Sequence, residues 1–156
     1  MQPPEDFEDE LERIRQRKLK SMFQRIRKEE EAMKTRIVIP VEDEGGLDAQ
    51  ISWHFGRAPY FSIIELDENG EIVSHQTVPN TSEHFGGAGK PAQNILRLQP
   101  HVVITHDMGP RALFMFQNAQ VAVLRTDAET VREAITAYNR GELTELTEGC
   151  LRARHR

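Results

Sequence analysis

A mixed α/β domain carrying a helical arm in front of it is the fold this sequence predicts. The sequence changes character abruptly at Arg36, and from there short apolar runs alternate with helix signals in the order β-β-β-α-β-α-β-α. A third observation narrows the topology. Asp67-Glu68-Asn69-Gly70 is a tight-turn signal that joins strands two and three as an antiparallel hairpin. Helical crossovers then make strands three, four and five parallel.

The arm comes first. Residues 5–34 contain neither Gly nor Pro and are rich in Glu, Arg, Lys, Leu and Met, all good helix formers. Acids crowd its start (Glu5, Asp6, Glu8, Asp9, Glu10, Glu12), where they complement a helix dipole. Arg13 to Lys28 then carries eight basic residues and no acid. Leu19, Ile26 and Met33 recur every seven residues, with Met22 and Phe23 beside them, a narrow apolar face too short for a coiled coil. The expectation is a charged helical arm over residues 1–35 that packs on its own domain, on a second copy or on another partner.

In the core, Arg36-Ile37-Val38-Ile39-Pro40-Val41 is a short apolar run, as expected of a strand covered on both faces. Tyr60 to Leu66 and Glu71 to Val78 form the hairpin, and Pro79 ends it. Pro91 suits the first position of a helix running to about residue 99, before Pro100. His101 to Thr105 is a fourth strand, Arg111 to Asn118 a second helix behind Gly109-Pro110, and Val121 to Leu124 a fifth strand. Thr126 and Glu129 have capping-box spacing ahead of Val131, Ala134, Ile135 and Tyr138, which share one helical face, and Gly141 is the expected C-cap. Beyond Gly141 the chain reads as polar and loose, apart from Leu143 and Leu146. The domain is therefore bounded at residues 36–147, with a tail at 148–156.

Composition excludes several classes. The chain has 156 residues and a net charge of -5, which argues against a general nucleic-acid binder. The charge is uneven: residues 1–36 hold ten Lys/Arg against nine Asp/Glu, and residues 37–149 hold seven against sixteen. The single cysteine, Cys150, excludes an internal disulfide and suits a reducing cytoplasm. No apolar run approaches the roughly 18 residues of a membrane span, and the acidic start is unlike a signal peptide. A cytoplasmic protein without membrane association is expected.

With the first strand parallel to strands three, four and five, the loops 42–59, 79–90 and 105–109 all fall at the carboxyl ends of the parallel strands, where open α/β sheets bind ligands. Every unusual cluster of the core lies in one of them. Trp53-His54-Phe55-Gly56-Arg57 puts an imidazole, an unhindered backbone and a fixed cation within a few residues. Gly86-Gly87-Ala88-Gly89-Lys90-Pro91 lets backbone amides turn toward an anion at a helix start. It lacks the glycine and the Ser/Thr of a P-loop and the spacing of a dinucleotide fingerprint. In the third loop, His106 follows a strand directly, Asp107 can orient an imidazole or hold a cation, and Arg111 opens the next helix. His54, His84 and His106 are the candidate metal ligands; Arg57, Lys90 and Arg111 match negative charge. A site of imidazoles and amides with few thiolates suits a preassembled anionic cluster better than a bare zinc ion.

His54-Phe55-Gly56-Arg57-Ala58-Pro59-Tyr60-Phe61, the Gly86-Gly87-Ala88-Gly89 turn and Gly109-Pro110-Arg111-Ala112 resemble the dinitrogenase iron–molybdenum cofactor biosynthesis family, over about residues 36–146. The resemblance implies an RNase H-like three-layer α/β/α motif with a five-stranded sheet of order 3-2-1-4-5, strand two antiparallel. It implies no catalysis but the binding or carrying of an iron–sulfur or molybdenum-containing cluster, with metallocluster donor and acceptor proteins as partners. It also implies cofactor contacts at His54, Phe55, Gly56, Arg57, Gly86, Gly87, Ala88, Gly89, Lys90, His106 and Arg111. His106-Asp107 departs from the small residues expected there, and the arm lies outside the family domain.

Two rivals come from other classes. Two-metal nuclease chemistry needs a carboxylate within the first strand, and this strand has none before Glu42-Asp43 at its end. An interaction module would instead act through the basic stretch Arg13 to Lys28 on a protein or RNA partner, although the flanking acids blunt its attraction for phosphates.

Overall fold

The computed structural model describes residues 5–81 and 91–148. The chain divides into two compact units between Lys34 and Thr35. The first is a single helix, α1 (Glu5–Met33). Glu10 pairs with Arg13 and Glu12 with Arg15 at i,i+3 spacing, which adds modestly to an isolated helix, and Glu10 also reaches Arg17. Phe7, Leu11, Leu19, Met22, Phe23 and Ile26 are all exposed along it.

The second unit is built on one mixed sheet, from strands β1 (Thr35–Val41), β2 (Tyr60–Leu66), β3 (Ile72–Pro79), β4 (Val102–Thr105), β5 (Ala122–Arg125) and β6 (Thr144–Glu145). Their order is β3-β2-β1-β4-β5-β6. β2 is antiparallel to both β1 and β3, β1 is parallel to β4, and β4 is parallel to β5. The Asp67–Gly70 turn forms as expected. Asp67 Oδ1 accepts from the amides of Asn69 and Glu71 at 2.9 and 3.0 Å, and Gly70 takes φ +81, which a side chain resists.

Alternation along the strands splits the core in two. Val38, Phe61, Val78, Val103 and Val123 face one side, with helices α2 (Pro91–Arg97) and α3 (Pro110–Asn118) contributing Ile95, Leu113 and Phe116. Ile37, Ile39, Ile64, Leu66 and Ile104 face the other, where α4 (Val131–Asn139) contributes Val131, Ala134 and Ile135. The sheet is thus covered on both faces, which is why β1 reads as a continuous apolar run.

Three expectations are corrected. The sheet has six strands and not five: the stretch read as loose pairs β6 antiparallel to β5, and the Leu146 amide donates to the Val123 carbonyl at 2.8 Å. Leu146 packs on the first core cluster and Leu143 on the second, which holds the polar segment between them against β5. The cap of α4 is Thr130 with Glu133, not Thr126 with Glu129. Thr130 Oγ1 accepts from the Glu133 amide at 3.3 Å, and the Glu133 carboxylate returns to the Glu129 amide at 3.2 Å. Thr126 instead closes a local turn by accepting from the Ala128 amide. Finally, α2 stops at Arg97, because Gln99 turns to φ +56 ahead of Pro100. At the end of α4, Gly141 at φ +67 and the Glu142 amide bound to the Ala137 carbonyl complete the expected C-cap.

Candidate functional site

β1 continues into β2 on one side of the sheet, while β4 continues through α3 into β5 on the other. The loops leaving their carboxyl ends therefore part, and the position between them is the crevice at which open α/β sheets bind ligands. After Val41 the chain turns back along the end of β1: Glu42 N donates to the Gln50 carbonyl, Ile51 bridges Val41, and Ser52 N donates to the Pro40 carbonyl. Gln50 also bridges Thr130. That return delivers Trp53 to the crevice.

There the first and third loops meet. The Trp53 indole stacks on the His106 imidazole, with centroids 4.1 Å apart and planes at 20°. Trp53 is 67% exposed and His106 only 4%. His106 Nδ1 lies 2.9 Å from the Thr126 carbonyl, which holds the ring from the β5 side. Asp107, expected to orient the imidazole, does not: it is exposed, and its backbone carbonyl accepts from Thr105 Oγ1. A carbonyl leaving the end of β5 takes the role because β5 runs beside β4, a pairing that sequence spacing does not reveal.

The turn at residues 54–58 is anchored from below. Phe55 is buried and meets Phe116 of α3 edge-on at 5.9 Å. Asn80, just past β3, donates through Nδ2 to the Ala58 carbonyl, and Asn94 of α2 donates to Asn80 Oδ1. With Phe55 turned inward, His54, Gly56 and Arg57 are exposed on the same short turn. Ser52, fully buried, ties the turn to the end of β1: its hydroxyl contacts Glu42 Oε1 at 2.7 Å and accepts from the His54 amide at 3.3 Å. Nearby, the Tyr60 hydroxyl is pushed above its usual value by its hydrogen bond to Glu44 and by that carboxylate's charge.

Gly56 is informative. Its φ is not positive, and nothing lies within 4 Å of where a Cβ would sit, so the fold itself does not demand glycine there. A bare backbone edge facing open space is what a bulky ligand approaching the turn would need. Among the described residues, no three His, Cys, Asp or Glu side chains are grouped to hold a metal ion. The donors present fit a cargo that arrives with its own inorganic ligands better than a naked ion.

Of the residues expected at the site, the loop that carries the His54–Arg57 turn meets His106 through Trp53, and Arg111 is exposed on the first turn of α3. His84, Gly86, Gly87, Ala88, Gly89, Lys90 and Cys150 lie outside the described residues. Sequence reasoning missed Trp53 as a contact, together with Ser52, Thr126, Asn80 and Asn94. Only Trp53, adjoining the motif and the sole tryptophan, carried a signal.

The sequence pattern of a family described as "Dinitrogenase iron-molybdenum cofactor" matches residues 33–141. An uncharacterised protein of Methanocaldococcus jannaschii is 26% identical over 110 residues, which cover 69% of this chain and 88% of that one. A Thermotoga protein provisionally assigned to NifB has an NMR structure that superposes with a TM-score of 0.60 at 31% identity, over 74% of this chain and 97% of that one. The apo form of the orange protein from Desulfovibrio gigas superposes with a TM-score of 0.58 at 23% identity, over 73% and 94% of the two chains, a likeness of fold.

Proposed function

The chain belongs to the dinitrogenase iron-molybdenum cofactor family, and from that membership we propose that it is a small metallocluster-assembly protein that binds or carries a metal–sulfur cofactor of the iron-molybdenum type, or its precursor. The observation that carries the reading is the Trp53–His106 stack, which joins the two imidazole-bearing loops over the crevice between β1 and β4. His54 and His106 would supply nitrogen donors, the Gly56 edge a close approach, and Arg57 and Arg111 compensating charge. Neither arginine forms an ion pair among the described residues, so both are available to an anion. The protein would hold and release its cargo without transforming it, because the crevice offers few firm ligands and transfer to an acceptor protein requires release. The RNase H-like relationship of the sheet belongs to the same proposal, as does a cytoplasmic setting; no described helix is long and apolar enough to cross a membrane.

Anaerobic purification followed by metal analysis and a visible spectrum tests the reading, with the apo-protein then titrated with isolated iron–molybdenum cofactor. Saturable uptake of one cluster per chain is expected, and no uptake would reject it. A second reading rests on α1: a charged helix with exposed apolar residues fits a docking arm for a donor or acceptor protein, or for a second copy.

A further inference from the structure

Charged and apolar side chains follow a pattern that changes along α1. Arg13, Arg15 and Arg17 lie beside the acidic start and pair with Glu10 and Glu12. Lys18, Lys20, Arg25 and Arg27 form no ion pair among the described residues. Among them stand Leu19, Met22, Phe23 and Ile26, spaced i, i+3, i+4 and i+7 on one helical face and each between 43% and 58% exposed. At about 3.6 residues per turn, the four cations fall roughly 100° to either side of the centre of that face. Lys18 and Arg25 occupy one margin, Lys20 and Arg27 the other. Both rows therefore lie near the height of the helix axis, with the apolar face below them. Arg17, Ser21, Gln24 and Lys28 make the opposite face.

We infer that the stretch from Lys18 to Lys28 is a docking surface for an anionic lipid bilayer, lying along the headgroup plane with Leu19, Met22, Phe23 and Ile26 in the acyl boundary. Lysine and arginine stems reach up from an apolar contact to the phosphates, so one plane satisfies both rows of cations at once. A nucleic acid would neutralise the cations and leave the apolar face in water. A second arm laid on this face would set cations against cations along both margins. Nine acids bound the basic stretch, six from Glu5 to Glu12 and three from Glu29 to Glu31. They confine the contact to about 16 Å of helix and keep it reversible. A helix of this kind lies on the surface, so the composition that argued against membrane association bears only on a crossing segment. Neither the crevice nor its cargo enters into this contact.

Flotation of the full chain with lipid vesicles tests the surface. At low salt the protein should bind vesicles of phosphatidylcholine with about a third phosphatidylglycerol, and bind pure phosphatidylcholine roughly tenfold more weakly or worse. Rising salt should release it. Two variants separate burial from charge: Met22→Gln with Phe23→Gln, and Lys18→Gln, Lys20→Gln, Arg25→Gln and Arg27→Gln combined. Glutamine is a good helix former, and circular dichroism confirms that each variant keeps its helix content. Each should bind the anionic vesicles about tenfold more weakly than wild type. Wild-type protein that stays off the anionic vesicles would overturn the proposal. So would full binding by the Met22 and Phe23 variant, which would leave only diffuse attraction. Retention of a uridine homopolymer in place of vesicles would assign the stretch to nucleic acid. Self-association that the Met22 and Phe23 changes abolish, without vesicle binding, would assign it to a second copy. Either of these outcomes removes the lipid surface.

Discussion

His75 on β3 shows how one side chain links packing to pH. Its Nε2 lies 3.0 Å from the hydroxyl of fully buried Ser62, and burial pushes its imidazole below the ordinary value of 6.5. The unfolded chain then takes up a proton that the folded chain resists. Stability from this group is complete above the ordinary imidazole range and is lost as the pH falls from there toward the lower folded value. Urea midpoints between pH 7 and 5 should therefore fall less steeply in His75→Gln than in wild type, and parallel slopes would remove His75 as the cause. Gly70 makes a second case. At φ +81 an added Cβ would lie 2.7 Å from Asn139 Oδ1, whose amide also donates to the Gly70 carbonyl. Gly70→Ala should cost about 1–3 kcal/mol in denaturant unfolding, whereas Gly56→Ala, entering open space, should leave folding unchanged and act only on cargo uptake. Equal destabilisation at the two glycines would contradict this contrast.

Among the elements, α4 owes its start to Thr130, whose hydroxyl accepts from the Glu133 amide, and to Glu133, whose carboxylate accepts from the Glu129 amide. Thr130→Ala should destabilise the domain by about 1 kcal/mol, and Thr126→Ala, if it acted through the same cap, would do likewise. Among the described residues Thr126 Oγ1 serves the Ala128 amide alone, so its loss should be felt less by the helix than by the loop behind His106. The arm is the other element whose independence can be measured. β1 pairs with β2 and β4, both downstream, so no strand of the sheet needs residues before Thr35. Removing residues 1–34 should leave a domain that unfolds cooperatively, and a truncated chain without a cooperative transition would reject the boundary.

For the whole molecule, the expected outcome concerns the crevice. His54→Ala should weaken uptake of isolated iron–molybdenum cofactor substantially with helix and sheet content intact. Lys90→Ala should cost less, because the charge of a single cation is screened by water and salt. A visible-band titration of the three proteins decides it, and wild-type uptake by His54→Ala would make His54 a structural residue.

The β-β-β-α-β-α-β-α order, the Asp67–Gly70 hairpin, the Gly141 cap and the strand directions were legible in the sequence, because they depend on local turn chemistry and on periodicity that the chain carries in itself. So was the gathering of the His54 and His106 loops at one end of the sheet, which comes from strand direction alone. The sixth strand was not legible, since Thr144–Glu145 is polar and pairs only because Leu143 and Leu146 are drawn to the two core clusters. Nor were Thr126 as the partner of His106, the inward turn of Phe55 onto Phe116, or the indole lying on the imidazole. Each joins residues from 20 to more than 50 positions apart, and their meeting depends on which strand lies beside which. Local physics sets the direction of every strand here, while the neighbours that share a crevice exist only once the sheet has closed over its core.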